Sequence, residues 1–356
     1  MNLLSCKEEG VKIPKWVPTI DWEDYRCLED LGRTGVGCVY KVQKVSTGEF
    51  FAIKKIYVLS DEVGDQAHLD RIMHDMSLAT SLDHPNVMKC LGVCNNDYGI
   101  HFLYNWMPYN LCNHKIRDER DLAQIAYQVL KGLNYLINEK RFVFKHLSPG
   151  NLLLDPSCGL VKIADVGTVK DKYITLLSVP ISPWYMKYIA PENFHMGNDE
   201  EFVLHSDRYS KSDAWSLGLC LLEFYNGTFP FDGDDRELQK FLLAGLDLEY
   251  GQSGACDCDL WPPRPPTCAP ALFCDFISSC LKLDVSERFG INELLKHDFI
   301  TTHCAVVSEE GDSSHDTQIL DYRIYEYDHL ELPPSSENDG NIRRQKKKMR
   351  LRDGRQ

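Results

Sequence analysis

Two stretches in the middle of the chain decide the fold: FKHLSPGNLLLD at residues 144–155 and VKIADVG at residues 161–167. Residues 152–154 and 161–164 are short, strand-like pieces and predict two strands. Asp165 stands at the end of the second strand, two residues before Gly167, and a carboxylate in this position can hold a divalent metal ion. Asn151 directly precedes the first strand.

Upstream of these stretches the pattern is rich in β-type residues. It predicts strands over 25–31, 38–45, 50–58, 87–93 and 99–106, and a helix over 62–82. The turn Ser46-Thr47-Gly48-Glu49 separates the second and third strands, which predicts a hairpin. Residues 1–22 are predicted to be a loose lead-in.

Two features of this region suggest phosphate chemistry. GRTGVGCV at 32–39 lies between the first two strands, and glycine lets backbone N–H groups approach phosphate oxygens. Such turns are also common in ordinary hairpins. Lys54 follows apolar strand residues in FAIK at 51–54, where an ammonium without a partner is costly. Lys54 and Lys55 are adjacent, so one of the two faces solvent in any case.

Downstream the character becomes helical. Apolar residues recur with the helical period over 122–137 and predict a buried amphipathic helix, and 215–225 is apolar nearly all round and predicts a central one. Further helices are predicted at 235–245, 269–283 and 291–299, a surface insert at 251–270, and a tail over 309–356 with one apolar patch at 322–332. A strand-rich lobe therefore precedes a larger helical lobe.

The order of motifs resembles the protein-kinase superfamily over residues 25–303. The motifs are the glycine loop, AIK at 52–54, HPN at 84–86, SPGNLLL at 148–154, DVG at 165–167, APE at 190–192, DAWSLG at 213–218 and a late Arg288. The resemblance implies an α+β bilobal fold with a small antiparallel β-sheet lobe (23–107) and a larger, mainly α-helical lobe (108–303). A lead-in (1–22) and a flexible tail (304–356) would flank this kinase-like domain.

The resemblance also implies roles for matching positions. Lys54 would contact the nucleotide phosphates, and Asn151 and Asp165 would bind Mg²⁺. Tyr104 would be the gatekeeper behind the adenine, and 105–108 the hinge. The implied nucleotide-binding residues are Gly32, Gly35, Gly37, Val39, Ala52, Lys54, Asp75, Tyr104 and Met107. Glu192 would pair with Arg288 inside the large lobe, and Asp213 would brace the catalytic loop.

The departures from the family pattern concentrate on the catalytic loop. The catalytic Asp position holds His146, and the Lys position holds Ser148. The loop Arg that grips a phosphorylated activation segment is Lys145, and the Thr that bonds the catalytic Asp and Lys is Tyr185. The helix glutamate that pairs with the strand lysine is Asp75, one methylene shorter, so its pair with Lys54 would need a shifted helix or a water.

The replaced side chains act on the substrate hydroxyl and the transferred phosphate, whereas those that hold ATP and Mg²⁺ remain. We therefore expect a pseudokinase that binds Mg-ATP and serves as a scaffold or allosteric regulator in signalling or trafficking. The alternative is an active atypical Ser/Thr kinase that acts on a protein substrate, since an imidazole at 146 can accept a proton. A third reading is an interaction module that binds no nucleotide. LSPGNLLLD at 147–155 also resembles, more weakly, the kinase-like domain of TBC-domain-containing kinase-like proteins.

Charge and cysteine content bear on partners and location. The chain of 356 residues carries a net charge of −14, but residues 343–356 hold eight Lys or Arg against one Asp, or +7, which leaves −21 for the remainder. An acidic body argues against nucleic acid as a partner, and the basic segment 343–355 is a candidate contact for acidic lipid or an import factor.

The fourteen scattered cysteines indicate free thiols in a reducing compartment. We expect a cytoplasmic protein with no transmembrane segment, with nuclear or membrane-surface association possible through the tail.

Overall fold

The computed structural model of the chain describes residues 13–34, 37–56, 66–96, 99–145, 147–166, 187–193, 206–230 and 262–304. The strands are β1 Tyr25–Thr34, β2 Gly37–Lys44, β3 Phe50–Ile56, β4 Cys90–Asn96, β5 Gly99–Asn105, β6 Tyr109–Asn110, β7 Leu152–Asp155 and β8 Leu160–Ile163. The helices are α1 Gln66–Ser81, α2 Glu119–Asn138, α3 Ser206–Asn226, α4 Ala271–Cys280, α5 Ile291–Leu294 and α6 Asp298–His303.

The small lobe is an antiparallel sheet with the strand order β1-β2-β3-β5-β4. The predicted hairpin between β2 and β3 is present. Gly48 adopts a φ of +76°, a value that favours glycine, and its N–H donates to the Lys44 carbonyl at 2.8 Å. One face of the sheet packs on α1 through Ile72, Met76 and Ala79, all fully buried. This arrangement confirms the predicted small lobe.

The large lobe is built around α2 and α3. Asp118 accepts hydrogen bonds from the N–H groups of Arg120 and Asp121 and so caps α2, whose apolar stripe enters the core as the period predicts. Residues 212–225 of α3 are buried on every side, and α4 and α6 pack against this centre. A three-stranded sheet, β6-β7-β8, joins the hinge side of this lobe to the strand that precedes Asp165.

The predicted lead-in differs from expectation over residues 13–22, because this segment packs on the small lobe. Thr19 forms a parallel bridge with Val93 of β4, and the N–H of Ile20 donates to the Val93 carbonyl at 3.1 Å. Val17 is buried in the apolar cluster that includes Met76 of α1. The segment thus covers the edge strand β4, which would otherwise present unpaired backbone groups.

The helical structure predicted around 291–299 is present as two short helices, α5 and α6, which residues 295–297 separate. The backbone of His297 is extended (φ −66°, ψ 145°), and its Nδ1 accepts the N–H of Phe299 at 3.1 Å. The imidazole therefore acts as the N-cap of α6. The predicted helix at 235–245, residues 251–261 of the insert and the tail over 309–356 lie outside the described residues.

Candidate nucleotide and phosphate-transfer site

The glycine loop joins β1 to β2. Gly32 has a φ of +132°, a conformation that side chains rarely adopt, with nothing within 4 Å of where a Cβ would lie. At Gly37 an added Cβ would overlap the carbonyl oxygen of Lys55, so this glycine is required for the close pairing of β2 with β3. Gly35 lies outside the described residues. The loop therefore needs glycine for its own packing as well as for any approach of phosphate.

Three neighbouring strands, β2, β3 and β5, carry predicted adenine-side residues. Val39 pairs in register with Lys54, and Ala52 pairs with Tyr104, so all of these belong to one continuous sheet. Tyr104 and Met107 are both about nine-tenths buried in the same apolar cluster. The predicted residues Val39, Ala52, Tyr104 and Met107 are thus carried by adjacent elements.

The hydroxyl of Tyr104 is buried, and the described residues offer it no hydrogen-bond partner. Burial raises the pKa of this phenol well above its ordinary value, with the charges of Cys90 and Asp165 adding to the effect. Tyr104 therefore stays neutral, and its buried O–H donor is unused within the described residues.

Lys54 and Asp165, which are far apart in the sequence, meet directly. Nζ of Lys54 donates to Oδ1 of Asp165, and the two side chains are only 7% and 24% exposed. The backbone of Asp165 has a φ of +67°, an uncommon conformation for a residue other than glycine. The predicted phosphate-binding cation and the predicted metal ligand therefore form one ion pair.

Asp75 lies on α1, on the helix that packs behind the sheet. Its carboxylate is partly buried, and Oδ1 lies 3.4 Å from Nδ1 of the exposed neighbour His74. A pair between Asp75 and Lys54 stays a prediction.

The predicted catalytic loop is braced from α3. Asp213 is fully buried and accepts the N–H of Phe144 at 3.1 Å and the N–H of Lys145 at 2.7 Å. Lys145 has a φ of +60°, and burial lowers the pKa of its ammonium to about 8, against the opposing effect of Asp213. The predicted role of Asp213 fits this geometry.

The remainder of the loop connects to the strand that precedes Asp165. Ser148 has an extended backbone, and its carbonyl accepts the N–H of Asn151 at 3.0 Å. The carbonyl of Asn151 in turn accepts the N–H of Ala164 at 2.8 Å, which ties it to the residue beside Asp165. His146 lies outside the described residues. Asn151 and Asp165, predicted as metal ligands, are thus linked through the backbone.

A buried ion pair below this region joins distant segments of the large lobe. Nη1 of Arg288 lies 2.6 Å from Oε1 of Glu192, and Nη2 lies 3.1 Å from Oε2. The hydroxyl of Ser212 donates to the same carboxylate at 2.8 Å, and the guanidinium stacks over Trp215 at 5.0 Å. The predicted pair is present, while the supporting Ser212 was not predicted because a lone serine carries no spacing signal.

A second buried acid was also not predicted. Glu223 of α3 accepts a short hydrogen bond from the hydroxyl of Tyr188. Burial raises the pKa of Glu223, and it raises the pKa of Tyr188 as well. This glutamate was not predicted to be buried, because a single acid in an otherwise apolar helix is normally taken to face solvent.

Comparison with known proteins identifies the family of this chain. Residues 25–300 match the family described as protein kinase domain. The chain belongs to the protein kinase family. It is 32% identical over 292 residues to mitogen-activated protein kinase kinase 7 of Arabidopsis thaliana, covering 79% of this chain and 86% of that protein. It is 30% identical over 288 residues to mitogen-activated protein kinase kinase SIPKK of Nicotiana tabacum, covering 79% and 74%.

A further relative is the dual specificity mitogen-activated protein kinase kinase mek-1 of Caenorhabditis elegans, 24% identical over 293 residues, with 80% of this kinase chain and 75% of that protein covered. These relatives do not test the weaker resemblance to TBC-domain-containing kinase-like proteins, which stays a prediction.

Kinase domains in general use ATP and Mg²⁺. The residues of this kinase fit a nucleotide, since the sheet that carries the glycine loop also carries the buried Lys54 and Tyr104, whose hydroxyl has no partner among the described residues. They also offer Mg²⁺ the oxygen ligands that it prefers, from the amide of Asn151 and the carboxylate of Asp165, and Oδ1 of that carboxylate contacts the ammonium of Lys54. In the described part of the chain, no three His, Cys, Asp or Glu side chains gather at one point to hold a metal ion, and no helix has the length and apolarity to cross a membrane.

Proposed function

We propose that this kinase domain binds ATP but transfers its γ-phosphate poorly, and that it acts as a pseudokinase scaffold or allosteric partner in signalling or trafficking. The observation that carries the proposal is the catalytic loop, in which Asp213 braces the backbone of Phe144 and Lys145. Residues 146 and 148 of this braced loop are His and Ser. The loop therefore has the support that a kinase needs without the carboxylate and the ammonium that act on the reacting groups.

The size of the expected defect follows from what these groups do. A carboxylate at position 146 would orient the attacking hydroxyl, and an ammonium at position 148 would stabilise charge on the transferred phosphoryl group. Loss of one preorganised electrostatic group costs on the order of 10²–10³ in rate, and groups that serve one transition state act together. An imidazole at 146 adds no negative charge.

The test is label transfer from γ-labelled ATP to a generic protein substrate and to a MAP-kinase-type protein. We expect the wild type to transfer no more label than Asp165→Asn. The double variant His146→Asp/Ser148→Lys restores both groups and should exceed the wild type by at least about 100-fold. Label transfer by the wild type far above that of Asp165→Asn would overturn the proposal.

The second candidate function is an active kinase that phosphorylates a protein. Identity of 30–32% across the domain to mitogen-activated protein kinase kinases favours it. In that case a MAP-kinase-type protein would be the substrate, and the same assay would give label transfer that depends on Asp165. Thr168, Tyr173, Thr175 and Ser178 would then be candidate phosphorylation sites.

We also propose a cytoplasmic location, with contact to acidic lipid or an import factor through residues 343–355. Free thiols at the eleven described cysteines support a reducing compartment. Imaging of the tagged full chain beside a chain truncated after residue 342 tests the role of the basic segment, and identical distributions would contradict it.

A further inference from the structure

The four residues 17–20, called the edge segment below, lie along the outer edge of β4. The N–H of Val93 donates to the carbonyl of Pro18 at 2.8 Å, and the carbonyl of Val93 accepts the N–H of Ile20 at 3.1 Å. Thr19, between these two, forms a parallel bridge with Val93. The edge segment is therefore bonded to β4 through its backbone.

The strand β4 has a glycine at the point where the edge segment passes. An added Cβ at Gly92 would lie 2.6 Å from Cγ2 of Ile20 and 3.2 Å from the carbonyl oxygen of Pro18. Glycine inside a strand weakens it, and it often marks a place where another backbone approaches closely. The residue at position 92 therefore suits the docking of the edge segment.

The edge segment contacts both faces of the small-lobe sheet. Val17 is 3% exposed and belongs to the apolar cluster that contains Met76 of α1. Ile20 packs instead against the cluster of Ile53 and Leu103, which lies on the other face because side chains alternate along a strand. The segment therefore wraps around the edge of the sheet.

The cluster that Val17 enters extends to the candidate nucleotide site. It also contains Tyr104 and Met107, two of the predicted nucleotide-binding residues. Met76 is fully buried in it and directly follows Asp75 on α1. Because a close-packed interior has few voids and transmits strain, a change of packing at Val17 is felt at α1 and at the adenine-side residues.

We propose that the edge segment is a positioning element of the nucleotide site. Its docking, through Val17, holds α1 and the adenine-side residues in the arrangement that binds ATP, and its release weakens ATP binding. The inference rests on the nucleotide binding in the proposed function and adds a second place on the molecule that controls it. Because such coupling is reciprocal, ATP also holds the edge segment on β4.

Isothermal titration of the full chain with ATP in excess Mg²⁺ tests the first half of the coupling, at a temperature at which circular dichroism shows each variant folded. Val17→Ala removes the apolar anchor and Gly92→Ala obstructs the docking. Each should bind ATP at least about fivefold more weakly than the wild type. Trp16→Ala is the matched control, because Trp16 precedes the edge segment and is 73% exposed, and its dissociation constant should be unchanged.

Amide hydrogen exchange of the wild-type chain, followed by NMR with and without Mg-ATP, tests the second half and needs no variant. ATP should slow the exchange of the N–H groups of Ile20 and Val93, which bond across the edge. The N–H of Gly48, bonded to the Lys44 carbonyl in the hairpin, should exchange at an unchanged rate. A segment with a merely structural role would not respond to ATP. This measurement decides the question if Val17→Ala does not fold.

The remaining outcomes separate the two proposals. Folded Val17→Ala and Gly92→Ala that bind ATP as the wild type does would overturn the inference and leave the pseudokinase proposal in place. Weaker binding by the variants without any effect of ATP on the exchange of Ile20 and Val93, or with equal slowing at Gly48, would overturn it as well. A wild type that binds no ATP would overturn both the inference and the nucleotide-binding part of the proposed function.

Discussion

Removal of Glu192 should destabilise the large lobe strongly, because it leaves the guanidinium of Arg288 buried without its carboxylate. Both partners are almost completely inaccessible, with side chains 1% and 0% exposed. Arg288 would keep the carbonyls of Lys282 at 2.9 Å and Lys211 at 3.2 Å as acceptors, and neither carries a full negative charge. Loss of one partner of such a pair costs about 3–5 kcal/mol.

That loss is large against a total stability of about 5–15 kcal/mol for a typical domain. At about 2 °C per kcal/mol for a domain of this size, Glu192→Ala should lower Tm by about 6–10 °C. Thermal unfolding followed by circular dichroism measures the shift.

Glu287→Ala is the matched control, because Glu287 is exposed and directly precedes Arg288 in the chain. A surface substitution of this kind changes stability by about 0.5 kcal/mol or less. Equal Tm values for Glu192→Ala and Glu287→Ala would show that the guanidinium finds water or another partner, and the reasoning from burial would fail.

Three further predictions concern other parts of the fold. Val17→Asp buries a charge against α1 and should lower the free energy of unfolding in urea by about 3 kcal/mol. Trp16→Asp, at a residue 73% exposed, should cost little. Equal losses would show that residues 13–22 do not dock. Burial lowers the pKa of His101 to about 4, so on acidification the unfolded chain takes up a proton at this residue before the folded chain does. Lowering the pH from 7 to 5 should therefore remove about 2 kcal/mol of stability, a loss absent from His101→Phe. Asp213→Ala should cost about 2–4 kcal/mol by urea unfolding because two backbone donors lose a charged acceptor, and an unchanged midpoint would contradict the brace.

Elements with a strong period could be predicted from the sequence, and the large-lobe helices show why. The apolar spacing of α2 is set by burial of one face, and α3 lacks a polar face because it is enclosed. Helix ends were harder to predict, because His297 has no preference that marks it as a cap. Its bond to the N–H of Phe299 begins α6 after the turn that follows α5. The docking of residues 13–22 depends on a bridge to Val93, a contact that no local pattern encodes.

For the candidate site, a family pattern predicted the residue positions but could not supply their contacts. It placed Lys54 and Asp165 at separate tasks, and the structure joins them in one ion pair. The reason is that motif spacing gives positions along the chain, whereas contact between two side chains depends on how close the fold brings them in space. Ser212 and Tyr188 were missed for the same reason, because each acts through one partner that is remote in sequence.

The geometry of the catalytic loop does not depend on which side chain occupies position 148. Ser148 contributes its backbone carbonyl to the N–H of Asn151, and its side chain does not cap the 3-10 turn that follows. The brace from Asp213 likewise uses only backbone N–H groups. A lysine at position 148 can therefore keep every backbone bond that serine makes there, and Ser148→Lys should unfold with the wild-type Tm. Any gain in label transfer by a variant that contains Ser148→Lys would then report the restored ammonium and not a rebuilt loop.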